Sequence, residues 1–310
     1  MTRSQAASIA LGLALMSSCS TIPAADEVFE EGSMRTLATG LGFTEGPVWI
    51  ATEDRLVFSD IPSAKLMSWT EEDGVAVFRE SPNPNGNLLD HQGRLLTCRH
   101  GARDVVRTEP DGSITILASG WDGRRFNSPN DLAVDLDGDL WFTDPPWGLP
   151  GQREGRELDE NGVYRLEVAT GEVTRVSTLH AMPNGIALSP LEDALYVTDT
   201  GGHPSHPDEA RRTSEGNVTC YAMGADGSLS VRWQAPVISD GLAVDEFGRV
   251  FTTTGGGIVV LAPSTGEVVT TLEVPEQPAN CCFGGSDGRT LFITARTGLY
   301  SVRTAAAGAR

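Results

Sequence analysis

Six residues able to donate a hard oxygen recur in one register of this chain: Glu45, Asn85, Asn130, Asn184, Asp240 and Asn280. Each follows a turn and opens an apolar run, as in Phe43-Thr44-Glu45-Gly46-Pro47-Val48-Trp49, Pro129-Asn130-Asp131-Leu132-Ala133-Val134 and Ser239-Asp240-Gly241-Leu242-Ala243-Val244. Carboxylate and amide oxygens in a ring suit Ca2+ or Mg2+. None of the six is His or Cys, which argues against a dedicated zinc site. An ion held there can polarise a carbonyl and stabilise the oxyanion that develops on it. Asn and Asp ahead of Gly also form the turns that lead a chain into a strand. Asn85 and Asn280 therefore stay open between a ligand role and a strand-opening role. Glu45 does not fit the second account, because Glu is a poor turn former.

The spacing says what must position these side chains. The six are separated by 40, 45, 54, 56 and 40 positions. A second apolar run follows each by about ten residues, including Arg55 to Asp60, Asp139 to Asp144 and Ala194 to Asp199. Turns with Asp137-Gly138 or Asp287-Gly288 join such pairs, a hairpin signal. Third and fourth strands follow in five of the units. The sixth lacks its fourth, and Met34 to Leu37 is free to supply it. The expectation is an all-β, six-bladed β-propeller over residues 33–303, closed by an N-terminal strand that completes the last blade. Closure removes the exposed sheet edges.

In such a blade the first strand is innermost, so the six polar residues ring one mouth of the central channel. Asp60, Asp144 and Asp199 end second strands and belong at the same mouth. The two long intervals place insertions at 145–161 and 200–216 above it, and the connection 119–129 reaches the same face. Trp147, Arg153, His203, His206, Trp121, Arg124 and Arg125 in these loops are pocket candidates, with a solvated loop position as the alternative for each. His100 lies on the same side and reads either as a second acid or base or as a hydrogen-bonded structural histidine.

The bulk properties narrow the class. A net charge of −19 lacks the basic footprint of a nucleic-acid binder. Residues 1–19 read as a signal peptide: Thr2-Arg3, a short apolar stretch, and a lipobox-like end at Met16-Ser17-Ser18-Cys19. Cys19 would then carry the lipid, with ordinary cleavage near Ala24-Ala25 as the alternative. The expected product is exported to the periplasm, tied to the membrane through a lipid anchor if Cys19 is modified, and without a transmembrane helix. Residues 20–32 read as a polar tether and 304–310 as a tail. Cys98, Cys220, Cys281 and Cys282 read as disulfide partners or as buried thiols.

The motifs resemble the SMP-30/gluconolactonase/LRE-like (regucalcin) family. The resemblance rests on Thr44-Glu45-Gly46-Pro47-Val48-Trp49, Arg125-Phe126-Asn127-Ser128-Pro129-Asn130-Asp131, Pro183-Asn184-Gly185-Ile186 and Ser239-Asp240-Gly241-Leu242-Ala243-Val244-Asp245. Cys98-Arg99-His100-Gly101 and Phe283-Gly284-Gly285 are similar to its bacterial branch. The resemblance implies one divalent ion, Ca2+ foremost with Mg2+, Zn2+ or Mn2+ admitted, on the residues matching Glu45, Asn184 and Asp240. Asn130 matches a position that contacts substrate or completes the metal shell, and Asp240 matches the family's proposed base. The implied reaction is hydrolysis of a sugar (aldono) lactone by a carboxylic ester hydrolase. Hydrolysis of other esters or organophosphates, and a non-catalytic ligand-binding propeller, are the other readings, because fold alone does not decide function.

Overall fold

The computed structural model describes residues 27–204, 206, 208–224 and 226–309. The signal peptide, the lipobox-like Cys19 and most of the expected tether lie outside the described residues. Six four-stranded antiparallel sheets follow one another in the chain. Blade I spans 44–80, blade II 84–118, blade III 132–177, blade IV 183–235 and blade V 242–272. Blade VI takes Pro278–Gly284, Thr290–Ala295 and Gly298–Arg303, and its outermost strand is Arg35–Ala38 from the other end of the chain. The closing strand is thus where the sequence expectation puts it, displaced by one residue. No helix among the described residues is long and apolar enough to cross a membrane.

Strand alternation builds the core. In the second strand of blade I, Leu56 and Phe58 point to blade VI, while Val57 points to blade II. In blade III, Leu140 and Phe142 face blade II and Trp141 faces blade IV. Both faces of each sheet are covered, so these strands read as continuous apolar runs. One buried cluster fills each of the six seams between neighbouring blades. The four described cysteines are free thiols within strands of these seams, not disulfide partners.

The described residues of the expected tether and tail, 27–32 and 304–309, run along the propeller. Val28 is fully buried against blades V and VI, and Phe29 meets Phe251 edge to face at 5.8 Å. Phe29 also bridges Thr304, and Gly308 bridges Asp245. The physical reason is local: Val28 and Phe29 are apolar residues of an otherwise polar segment and pack into the seam of blades V and VI, and Ala306 is buried as well.

Candidate active site at the channel mouth

Each ring residue is placed by an irregular strand entry. In blade I, Glu45 pairs with Ser59 but Val48 with Val57, so one extra residue is inserted at the key position. The same shift occurs at Asn85, Asn184 and Asn280. In blades III and V the regular ladder begins only at Leu132 and Leu242, after the key residue. A bulge re-aims a side chain and leaves backbone groups unpaired. The next blade takes those groups. Gly86 N donates to Asn130 O at 2.8 Å, Gly185 N to Asp240 O at 3.1 Å, and Gly241 N to Ala279 O at 2.7 Å. Hydroxyls of the second strands stitch the same seam: Ser59 Oγ donates to Asn85 O at 2.6 Å, and Thr143 Oγ1 to Asn184 O at 2.5 Å. This approach explains the glycine after the key residue. A Cβ at Gly46 would overlap Asn85 O, and similar crowding holds at Gly86 and Gly185.

The second-strand aspartates reach the same face but turn inward. Asp60 accepts from the backbone N–H groups of Gly42 and Phe43, Asp144 from Asn127 and Ser128, and Asp199 from Ala181 and Met182. In all three blades these donors stand three and two residues before the ring residue. The aspartates are anchors for the incoming chain and not part of a ligand shell.

A cavity of about 400 Å³ opens at the mouth, and Glu45, Asn85, His100, Asn130, Asn184 and Asp240 all line it. The sequence-derived site residues are therefore brought together, with Asn85 among them. Asn280 is not. Its side chain turns away from the cavity, donating to Asp131 Oδ2 at 3.2 Å and bonding Glu45 from below. Of the seven loop candidates, Trp147 lines the cavity. Trp121 instead lies beneath the Arg175 guanidinium at 4.3 Å, Arg125 bonds Ala102 O, and His206 bonds the backbone of its own loop. Arg124 pairs with Asp159, Arg153 is exposed, and His203 is half-buried outside the cavity wall. Phe43, Gln277 and Arg296 are also part of the wall. Arg296 stacks over Phe43 at 5.5 Å and bonds Gln277.

The electrostatics are those of carboxylates packed together out of water. Burial, then the neighbouring Asp240 charge, pushes Glu45 well above the usual carboxylate range. Burial also raises Asp240 to about 7, against the opposing hydrogen bond from Asn184. Asp131, one residue past Asn130, is raised to about 6 by burial. It faces the channel beneath the ring and is absent from the sequence-derived candidates. A signal for it exists: four other repeats carry Gly at that place, at 46, 86, 185 and 241. Asn184 Nδ2 donates both to Asp240 Oδ1 and to Thr200 Oγ1, the latter at 3.0 Å. Both amide hydrogens are thereby used, which leaves the Asn184 oxygen for a ligand.

The profile of the SMP-30/gluconolactonase/LRE-like region matches residues 43–297, from the first ring residue's turn to the last blade. The chain belongs to this family. It is 31% identical to a gluconolactonase of Zymomonas mobilis, over 87% of this chain and 81% of the relative. It is 29% identical to a pentonolactonase of Haloferax volcanii, over 85% of each. Among solved structures, a gluconolactonase from Xanthomonas campestris superposes with a TM-score of 0.78 at 33% identity, over 90% of this chain and 91% of that one. A calcium-binding regucalcin from Agrobacterium tumefaciens, at 18% identity and a TM-score of 0.69 over 89% of this chain and 95% of that one, shares the fold.

The donor set of this family member fits a hard divalent ion. Among the described residues no group of three or more His, Cys, Asp or Glu is placed to hold a metal. The oxygen donors lining the mouth instead include two carboxylates, Glu45 and Asp240, and the amides Asn130 and Asn184. Two adjacent buried carboxylates whose protons are held too tightly are the groups that a cation relieves.

The insertion of blade III passes tightly over this site. A Cβ at Gly148 would lie 2.7 Å from Ser128 Cβ and 2.8 Å from both His100 Cβ and His100 O. Gly148→Ala therefore lifts the Trp147 wall. We expect kcat/KM to fall about tenfold, with a Tm within about 3 °C of wild type, because a displacement near 1 Å costs reaction geometry more than folding. Steady-state kinetics beside a melting curve check this, and unchanged kinetics would exclude the loop as a wall of the site.

Proposed function

We propose that this lactonase opens sugar lactones of the aldono class, using one divalent ion on Glu45, Asn184 and Asp240 and a water activated by Asp240. The observation that carries the reading is the pair of buried carboxylates Glu45 and Asp240 in the wall of one cavity, with amide oxygens completing the set. When bound, a divalent ion supplies charge stabilisation to the lactone oxygen, with Ca2+ matching the donors best. The chain's own groups do the rest. Asn130 contacts the lactone or completes the shell. Asp240, ionised beside the bound ion, takes one proton from the attacking water. The water oxygen bonds to the carbonyl carbon, the ring C–O bond breaks, and Asp240 returns its proton to the departing ring oxygen. The product is the open-chain hydroxy acid.

Metal ligation and proton transfer draw on the same carboxylate, whose Oδ1 also accepts from Asn184 Nδ2. A pH-indicator assay on a panel of aldonolactones, simple lactones, aryl esters and phosphotriesters tests the proposal. We expect turnover of aldonolactones that a chelator abolishes and Ca2+ or Mg2+ restores. Chelator-resistant turnover would remove the ion from the mechanism. Turnover confined to aryl esters or phosphotriesters would replace the substrate class.

A further inference from the structure

Asn85 lines the cavity at 2% exposure, yet its amide oxygen has no hydrogen-bond partner. Everything else about the residue is fixed. Its carbonyl accepts from Ser59 Oγ at 2.6 Å and from Asn87 Nδ2 at 2.9 Å, and Gly86 N is tied to blade III. Its Nδ2 lies 2.8 Å from His100 Nε2. Burial keeps His100 neutral, down to about 4, so with its proton on Nδ1 the imidazole accepts the amide hydrogen at Nε2. That contact orients the amide and leaves the oxygen as its open acceptor. Buried acceptors without partners are rare in native proteins and costly, unless a ligand or water satisfies them.

Resting on the lactonase reading, we propose that Asn85 is a specificity-determining residue whose amide oxygen accepts a hydrogen bond from a ring hydroxyl of the lactone, with His100 as the positioning residue that aims the amide. Asn85 stands on blade II, across the channel from Asp240 on blade V. It therefore meets the part of the substrate remote from the attacking water. A lactone lacking that hydroxyl leaves the oxygen unpaired and is rejected, the way sites built around a substrate hydroxyl discriminate against its deoxy analogue. This role differs from acid–base chemistry by His100, whose Nε2 is engaged by Asn85.

The test compares kcat/KM for D-glucono-1,5-lactone and for δ-valerolactone, a six-membered lactone without ring hydroxyls. In Asn85→Ala we expect the first to fall about tenfold or more and the second to change by less than about threefold. His100→Ala should lose part of the same preference, and the double variant should be no worse than Asn85→Ala, because one acts through the other. Parallel loss on both substrates, or no change on either, overturns the proposal. So does weaker Ca2+ binding by calorimetry in Asn85→Ala, which would make the oxygen a metal ligand. A readout on the unmodified protein guards against a variant that does not fold: gluconolactam should inhibit at least about tenfold more strongly than δ-valerolactam, and equal inhibition overturns the proposal. Wild-type protein that opens neither lactone would defeat the lactonase reading and this inference with it. Parallel loss in an active enzyme defeats the inference alone.

Discussion

Replacing Asp240 by asparagine should lower kcat on an aldono-1,5-lactone about a thousandfold, within the range by which positioned general bases accelerate reactions. The change is isosteric. The introduced amide keeps an oxygen to accept from Asn184 Nδ2, so the geometry of the ring survives. What the site loses is the ability to take a proton, together with one charged ligand of the ion. The substitution also removes one of two carboxylates that oppose each other's ionisation, Glu45 being raised in part by the Asp240 charge. The variant should therefore melt no lower than wild type at pH 8 without added metal. Glu45→Gln provides the contrast, since it weakens the ion site and leaves the base. Excess Ca2+ should restore much of the activity of Glu45→Gln and none of that of Asp240→Asn. Recovery of Asp240→Asn to within tenfold of wild type by excess ion would reduce Asp240 to a ligand and sink the base assignment.

Why the ring is legible in the sequence, and its neighbours less so, follows from what fixes each residue. Glu45, Asn130, Asn184 and Asp240 sit in a repeat whose period is set by the blade, so counting residues finds them. Asn85 and Asn280 carry the same residue type in the same register and end in different places. The difference lies in partners outside their own strands: His100 holds one amide at the cavity, while Asp131 and Glu45 draw the other beneath the ring. No local pattern contains that choice. Asp60, Asp144 and Asp199 reach the mouth because they end second strands. Their direction depends on which side offers unpaired N–H groups, and the incoming strands offer two each. Arg296 and Gln277 reach the wall through the turn and the entry of blade VI, short segments without the length that marks out the insertions.

Added Ca2+ should raise the melting temperature by about 5 °C at pH 8 and by only about 2 °C at pH 5.5. The sign follows from the raised carboxylates. A carboxyl whose folded pKa lies above its unfolded value stabilises the fold below about pH 4 and loses that contribution as pH rises toward the folded value, about 7 for Asp240. The metal-free ring is therefore under growing electrostatic load between pH 4 and 7, with Glu45 shifted in the same direction. An ion must displace these protons to bind, so its affinity falls as pH drops. At pH 8, an ion at a hundred times its Kd adds about 2.7 kcal/mol, or about 5 °C for a domain of this size. At pH 5.5 a proton on Asp240 weakens apparent binding about thirtyfold and leaves about 0.9 kcal/mol, or about 2 °C. Calorimetric melts of wild type and Glu45→Gln at both pH values measure the difference, with the variant expected to show little increment at either. Equal increments at the two pH values would mean that the stabilising ion sits elsewhere on the propeller, away from the carboxylates whose protons it has to displace.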